Sequence, residues 1–201
     1  MNKTRIDPMP LLFPHPIVMI GVDVRGKPDF VTVAWITIAC GTPPWVAIAL
    51  NHVRYSMEGV KDNMVFSVNI PDRAMVKETD YCGIVTGARH NKAEDCHFKV
   101  FYGEIAGAPY IEQCPVNIGC LVKHIFRLGS HFLIAGSIEE ILISDDCIKE
   151  GKPDPEKIDP IAYMTYPSLS YHGIGEFLGH AFRIGKEIQD VEDDWERQLA
   201  Q

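Results

Sequence analysis

No stretch of this sequence is apolar for the ~18 residues that a membrane-crossing helix needs. The longest candidate, around residues 43–50, is short and follows Pro43-Pro44. The start of the chain reads as something other than a secretory leader, because Pro8, Pro10, Pro14 and Pro16 interrupt any apolar segment there. Cytoplasmic placement is the expectation. Basic excess is also missing: 19 Lys and Arg stand against 27 Asp and Glu, a net charge of -8. A general nucleic-acid binder needs a cationic face to neutralise phosphates, and docking on anionic lipid needs the same. Neither class fits.

The six cysteines, Cys40, Cys82, Cys96, Cys114, Cys120 and Cys147, form no C-x-x-C pair. In a reducing compartment they read as small buried apolar residues rather than disulfide partners. Cys96-His97 and Cys120-x-x-x-His124 lack the close, repeated spacing of zinc sites, so no metal is expected. A cysteine nucleophile would need a partnered histidine that sequence cannot locate. There is no G-x-G-x-x-G after a strand and no G-x-x-x-x-G-K-[ST], which excludes the common dinucleotide and nucleoside-triphosphate cradles. Internal repeats and low-complexity tracts are missing too.

What is present is ordinary globular composition, 46% apolar and 23% charged over 201 residues, enough for one domain. Residues 1–16 read as an extended lead-in, since each proline pushes its predecessor away from helix. Strands are expected over residues 17–22, 30–39, 45–50 and 64–70, with a polar turn at residues 25–29 between the first two. Ser56 is placed as the cap of a short helix over residues 57–62, with Asn63 as its left-handed stop. Asp72 caps a second helix to about Tyr81, and residues 84–96 form a loop bracketed by Gly83 and Gly87. Short strands and turns follow over residues 97–112. Two long β-rich runs, residues 115–127 and 131–143, flank Leu128-Gly129-Ser130, which suits a hairpin. Residues 145–158 read as a charged loop, residues 161–184 as an aromatic, glycine-rich segment, and residues 186–201 as an acidic helical tail. Many short strands without βαβ alternation predict a mainly β protein, an antiparallel barrel or sandwich, with few helices.

The stretch from Thr32 to Val60 organises the rest. Two apolar strands join at Gly41-Thr42-Pro43-Pro44, and the second runs into Asn51, Arg54, Tyr55 and Ser56 at a helix start. Arg54 offers planar donors suited to phosphate, Ser56 a hydroxyl, the helix start its free N–H groups, and Asn51 amide donors. Ala34, Trp35, Ile36 and Thr37 supply a wall and backbone polar groups for a flat ring. Thr86-Gly87 supplies a hydroxyl and a closely approachable backbone, and Lys92 a charge. An apolar wall ending in a cationic fork suits flavin mononucleotide. Each residue has a plainer reading: Arg54 as a surface ion-pair partner, Ser56 as a cap, Trp35 as core. Histidines 52, 90, 131, 172 and 180 read as hydrogen-bonded structural or surface residues, with His172 a flank for a ligand.

In order and spacing these segments resemble the flavin reductase-like family, and within it flavoredoxin-type proteins. The resemblance rests on Pro14-x-Pro16 before a strand ending in Gly21, Thr32-Val33-Ala34-Trp35, Pro43-Pro44, Arg54-Tyr55-Ser56, Phe66-Ser67-Val68-Asn69, Thr86-Gly87 with Asn91-Lys92, Cys114-Pro115-Val116-Asn117 with Leu128-Gly129-Ser130-His131, and Gly173-x-Gly175-Glu176 with Gly185-Lys186. Two departures bear on Lys92: Ala93 stands where family members usually carry Phe, and Asn91 where Asp is common. The resemblance implies an antiparallel split β-barrel with a few peripheral helices, one FMN-binding domain over residues 1–201, and a homodimer with non-covalent FMN near its interface. It implies electron flow from NADH or NADPH through flavin to free flavin, ferric iron or a redox protein. The alternative is an electron carrier without NAD(P)H activity of its own. A split barrel that binds another ligand is the third possibility. Hydride transfer to flavin requires no acid–base side chain, so none is named.

Overall fold

The computed structural model describes residues 1–188. Seven strands form one antiparallel sheet: β1 (Val18–Val24), β2 (Lys27–Val33), β3 (Ile36–Cys40), β4 (Trp45–Asn51), β5 (Val65–Ile70), β6 (Val116–Leu128) and β7 (His131–Ile143). Their order is β2-β1-β5-β6-β7-β4-β3. The two edge strands are therefore consecutive in sequence. The expected single strand over residues 30–39 is split at Ala34-Trp35: its first half pairs with β1 and its second with β4. The edges meet at that break, where Ala49 N–H donates to Trp35 O at 2.8 Å. This joint curls the sheet into a split β-barrel and leaves two backbone units, 34 and 35, outside either ladder.

The barrel is filled because its strands alternate. In β4, Val46, Ile48 and Leu50 point inward, while Trp45, Ala47, Ala49 and Asn51 lie half-buried on the outer face. Inward positions on the other strands are taken by Ile20, Val22, Val31, Phe66, Val68 and Ile134, all essentially inaccessible. Each such side chain contributes about 1.5–3 kcal/mol through burial. A helix, α1 (Ser56–Asn63), closes one end with Met57 and Val60. It lies so close to β1 that a Cβ on Gly59 would overlap the Asp23 carbonyl and stand 2.9 Å from Val22 Cγ2. A second cluster covers the outside of β1 and β2. There Met19 and Phe30 pack with Met75, with Cys82 of α2 (Val76–Ile84), and with Ala93 of α3 (Lys92–Asp95).

Several boundaries differ from expectation. The turn after β1 is only Arg25-Gly26, both at positive φ (54° and 76°), so residues 27–29 extend β2 rather than forming a turn. Tyr55, not Ser56, precedes the helix, with no side-chain capping bond, and Met64 (φ 55°) is the left-handed residue rather than Asn63. Asp72 caps as expected, accepting from the N–H groups of Ala74 and Met75. The helical stretch it starts runs on to Ile84. The loop over 84–96 contains α3, and the charged loop over 145–158 contains a small hairpin and the helical turn Pro155–Ile158. The β6–β7 hairpin forms about Gly129-Ser130. The lead-in is extended until His15–Pro16 pairs with Ala162 and Tyr163. Of the acidic tail, Ile184–Glu187 form a 3-10 turn, while Asp190, Glu192, Asp193, Asp194 and Glu196 lie outside the described residues.

Candidate functional site

The end of β4 and the start of α1 form the centre of the site. Asn51 Oδ1 accepts from Val53 N–H at 3.1 Å, and Asn51 O accepts from Arg54 N–H at 3.1 Å. These bonds close a tight turn that fixes Arg54 beside the helix start. Arg54 Nη1 donates to Gly83 O at 2.8 Å, anchoring the guanidinium to the end of α2. A guanidinium carries five N–H groups, and the other four have no partner among the described residues. The N–H groups of Tyr55 and Ser56 likewise make no hydrogen bond among the described residues. Uncommitted donors at a helix N-terminus favour an anion.

Beneath this point lies a buried ionic cluster. Asp29, Ser56 and Lys92 are 4%, 1% and 3% exposed. Ser56 Oγ donates to Asp29 Oδ2 at 2.5 Å. Lys92 Nζ donates to Phe30 O at 2.6 Å and to Cys82 O at 3.4 Å, and stands 3.4 Å from Asp29 Oδ1. A carboxylate this far from water requires such partners. Gly87 packs its backbone against the same carboxylate; a Cβ there would overlap Asp29 and come within 2.8 Å of the Tyr55 ring. Glycine is needed at this point for that close approach. Thr86 Oγ1 accepts from Ala88 N–H at 3.4 Å. Arg54, Tyr55, Ser56, Thr86, Gly87 and Lys92 together line a groove of about 210 Å³.

Two further grooves adjoin it. One, about 190 Å³, is lined by Thr32, Ala34, Trp35, Asn51, Arg54 and His131, so Arg54 borders both. The Trp35 and His131 rings stand 4.8 Å apart between centroids, tilted by 36°. The other, about 500 Å³ and mostly apolar, is lined by Trp35, Ile36 and Thr37 together with Leu11, Leu12 and Leu133. The ten residues singled out from sequence thus lie along one path: Ile36 and Thr37, then Trp35 and Ala34, then Asn51 and Arg54, then Tyr55, Ser56, Thr86 and Lys92. The Lys92 ammonium points at protein acceptors, the Phe30 and Cys82 carbonyls and Asp29.

Two neighbours of the site are not evident from sequence. Asp29 falls in the expected turn, although Arg25-Gly26 alone suffices for a reversal and leaves Lys27 onward free to be strand. His131 comes to Trp35 through the pairing of His131 with Asn51, a register that sequence does not reveal. Cys82, Cys114 and Cys120 are unsuited to nucleophilic work, because burial raises their thiols, the last to about 12. Among the described residues no group of three His, Cys, Asp or Glu side chains is placed to hold a metal ion. None of the described helices is long and apolar enough to cross a membrane.

The family model for the flavin reductase like domain matches residues 9–169. The chain belongs to that family. Among solved structures it is similar to a flavoredoxin from Methanosarcina acetivorans, with 33% identity over 94% of this chain and 100% of that one, TM-score 0.89. It is also similar to the flavoredoxin of Desulfovibrio vulgaris (Miyazaki F), with 30% identity over 92% and 100%, TM-score 0.86. An FMN-binding protein from Thermus thermophilus shares the fold at 18% identity, over 90% and 99%, TM-score 0.76.

Proposed function

We propose that this chain is a single-domain FMN-binding oxidoreductase that passes electrons from NADH or NADPH through flavin to an acceptor. The observation that carries the reading is the continuous path from the Trp35 wall to the uncommitted donors of Arg54 and the α1 start. A tricyclic ring joined to a phosphate by a ribityl chain has that shape and that order of chemistry. Flavin fits the residues present: Arg54, Ser56 and Thr86 hold the phosphate, Asn51 offers polar atoms along the chain, and Ala34, Trp35, Ile36 and Thr37 border the ring. Tyr55 sets the helix start, and Lys92 supports the phosphate groove from beneath. When bound, the flavin supplies the hydride and single-electron chemistry. The protein's own part is placement, exclusion of water and local charge. Membership of the flavin reductase like family and the similarity to two flavoredoxins support a flavin as the cofactor.

The protein works in the cytoplasm as a homodimer in this reading. The outer face of β6 exposes Phe126 and Leu128, each more than half accessible, in register with Ala49 and Asn51 on the outer face of β4. Trp45, His124 and Phe126 form a ring stack beside them. An aromatic and aliphatic face of this kind suits a second copy. The acceptor is free flavin, ferric iron or a redox protein.

A second reading, an electron carrier without its own NAD(P)H activity, is favoured by the flavoredoxin similarity. Anaerobic titration of the FMN-loaded protein separates the two. Bleaching by NADH or NADPH is expected; failure of both, with bleaching by a reduced ferredoxin, rejects the reductase in favour of the carrier.

A further inference from the structure

We propose that Asp29 is a built-in competitor for the phosphate, setting how tightly the phosphorylated end of the cofactor is held. The inference rests on the FMN reading above. The donors nearest the groove floor are already engaged by a carboxylate. Ser56 has one O–H to give, and it gives it to Asp29 Oδ2. While it does so, only lone pairs of Ser56 Oγ face an incoming anion. Lys92 Nζ has three N–H groups, directed to the Phe30 and Cys82 carbonyls and towards Asp29 Oδ1. Its charge is cancelled locally by Asp29, at a site where both side chains are at least 95% shielded from water.

The fixed charges around the groove are therefore Arg54 (+1), Lys92 (+1) and Asp29 (-1), a net of +1. A phosphate entering beside Ser56 must recruit that hydroxyl away from Asp29 and stand near a like charge in a low-dielectric setting, where such repulsion is weakly screened. The carboxylate occupies, in miniature, the role of the ligand. Its consequence is selective. It weakens the grip on the phosphate and leaves the ring end, beyond Asn51, untouched. A cofactor held this way exchanges more readily with the free pool than one whose phosphate meets no competing carboxylate. Asp29 is thus a positioning residue, acting through Ser56 and Lys92.

The test compares FMN with riboflavin, which differ only in the phosphate, by titrating the flavin-free protein and following flavin fluorescence. Asp29→Asn removes the charge and leaves a neutral amide that competes less strongly for the Ser56 proton. FMN should bind about tenfold more tightly, the scale of one charge-assisted hydrogen bond, while riboflavin affinity stays within about twofold. An unchanged or weaker FMN affinity in that variant overturns the proposal, as does an equal gain for both ligands. Because Asp29→Asn leaves Lys92 buried without a counter-charge, the double variant Asp29→Asn/Lys92→Gln is measured beside it. That variant keeps the cluster neutral, and its preference for FMN over riboflavin should equal or exceed that of the unaltered chain. A loss of preference by about tenfold there would mean that Lys92 grips the phosphate directly, against the proposal. If the unaltered protein binds neither flavin, the FMN reading itself fails, an outcome distinct from a flavin-binding protein whose preference ignores Asp29.

Discussion

Replacing Arg54 with alanine separates the two ends of the site. In the structure the guanidinium spends one N–H on Gly83 O at 2.8 Å and keeps four for a ligand. If two of these meet phosphate oxygens, the charge-assisted bonding is worth about 1.5–3 kcal/mol. FMN affinity should then fall roughly ten- to a hundredfold. Riboflavin has no phosphate, so its affinity should change by less than about threefold. The lost bond to Gly83 costs the free protein about 1 kcal/mol, which a urea melt of the flavin-free variant measures separately. Arg54→Lys should recover part of the FMN affinity, because lysine restores the charge but not the planar fork. The assay is a fluorescence titration of both flavins at low and at moderate salt, where screening should narrow the difference between them. A folded Arg54→Ala protein with unchanged FMN affinity would refute the assignment and move the phosphate elsewhere.

Other outcomes follow from packing and protonation. Gly59→Ala places a methyl against the Asp23 carbonyl, which is backbone and yields little; it should destabilise the fold by about 1–3 kcal/mol in urea unfolding. Tyr102 donates to Asp23 Oδ1 at 2.8 Å, and burial together with that bond raises its phenol to about 12. A folded-state value raised above the unfolded one gives stability that is complete below about pH 10 and lost as pH rises towards 12. Tyr102→Phe should flatten the fall in melting temperature across that interval. Cys82, Cys114, Cys120 and Cys147 are buried with raised thiols, whereas Cys40 is exposed and Cys96 partly so. A disulfide reagent at pH 8 should therefore modify at most two thiols in the native protein and all six in denaturant.

Much of the barrel was legible because its signals are local. Partial alternation in residues 64–70, the β-branched run over residues 30–39, and Leu128-Gly129-Ser130 between two β-rich stretches each identify themselves without their neighbours. The boundaries that moved were decided by tertiary contact. Residues 27–29 look like turn material, but Asp29 is drawn into β2 by Ser56 and Lys92, which come from 27 and 63 positions away. The break at Ala34-Trp35 carries no glycine or proline. It exists because one segment serves both edges of a closing sheet. Ser56 fits a cap by type, yet its hydroxyl is captured by Asp29 before it can turn back to the helix. The ten candidate residues could be named from local chemistry. Their meeting along one path, and the addition of Asp29 and His131, depended on registers and on the packing of the residues 84–96 loop against β2.

The central claim is that one ligand spans the distance from the Trp35 wall to the head of α1. A crystal structure of the protein grown with FMN tests it most directly. The account predicts the ring beside residues 34–37 and the phosphate within hydrogen-bond reach of Arg54 and the Ser56 N–H. Flavin density confined to another surface, with these grooves filled by water, would contradict it.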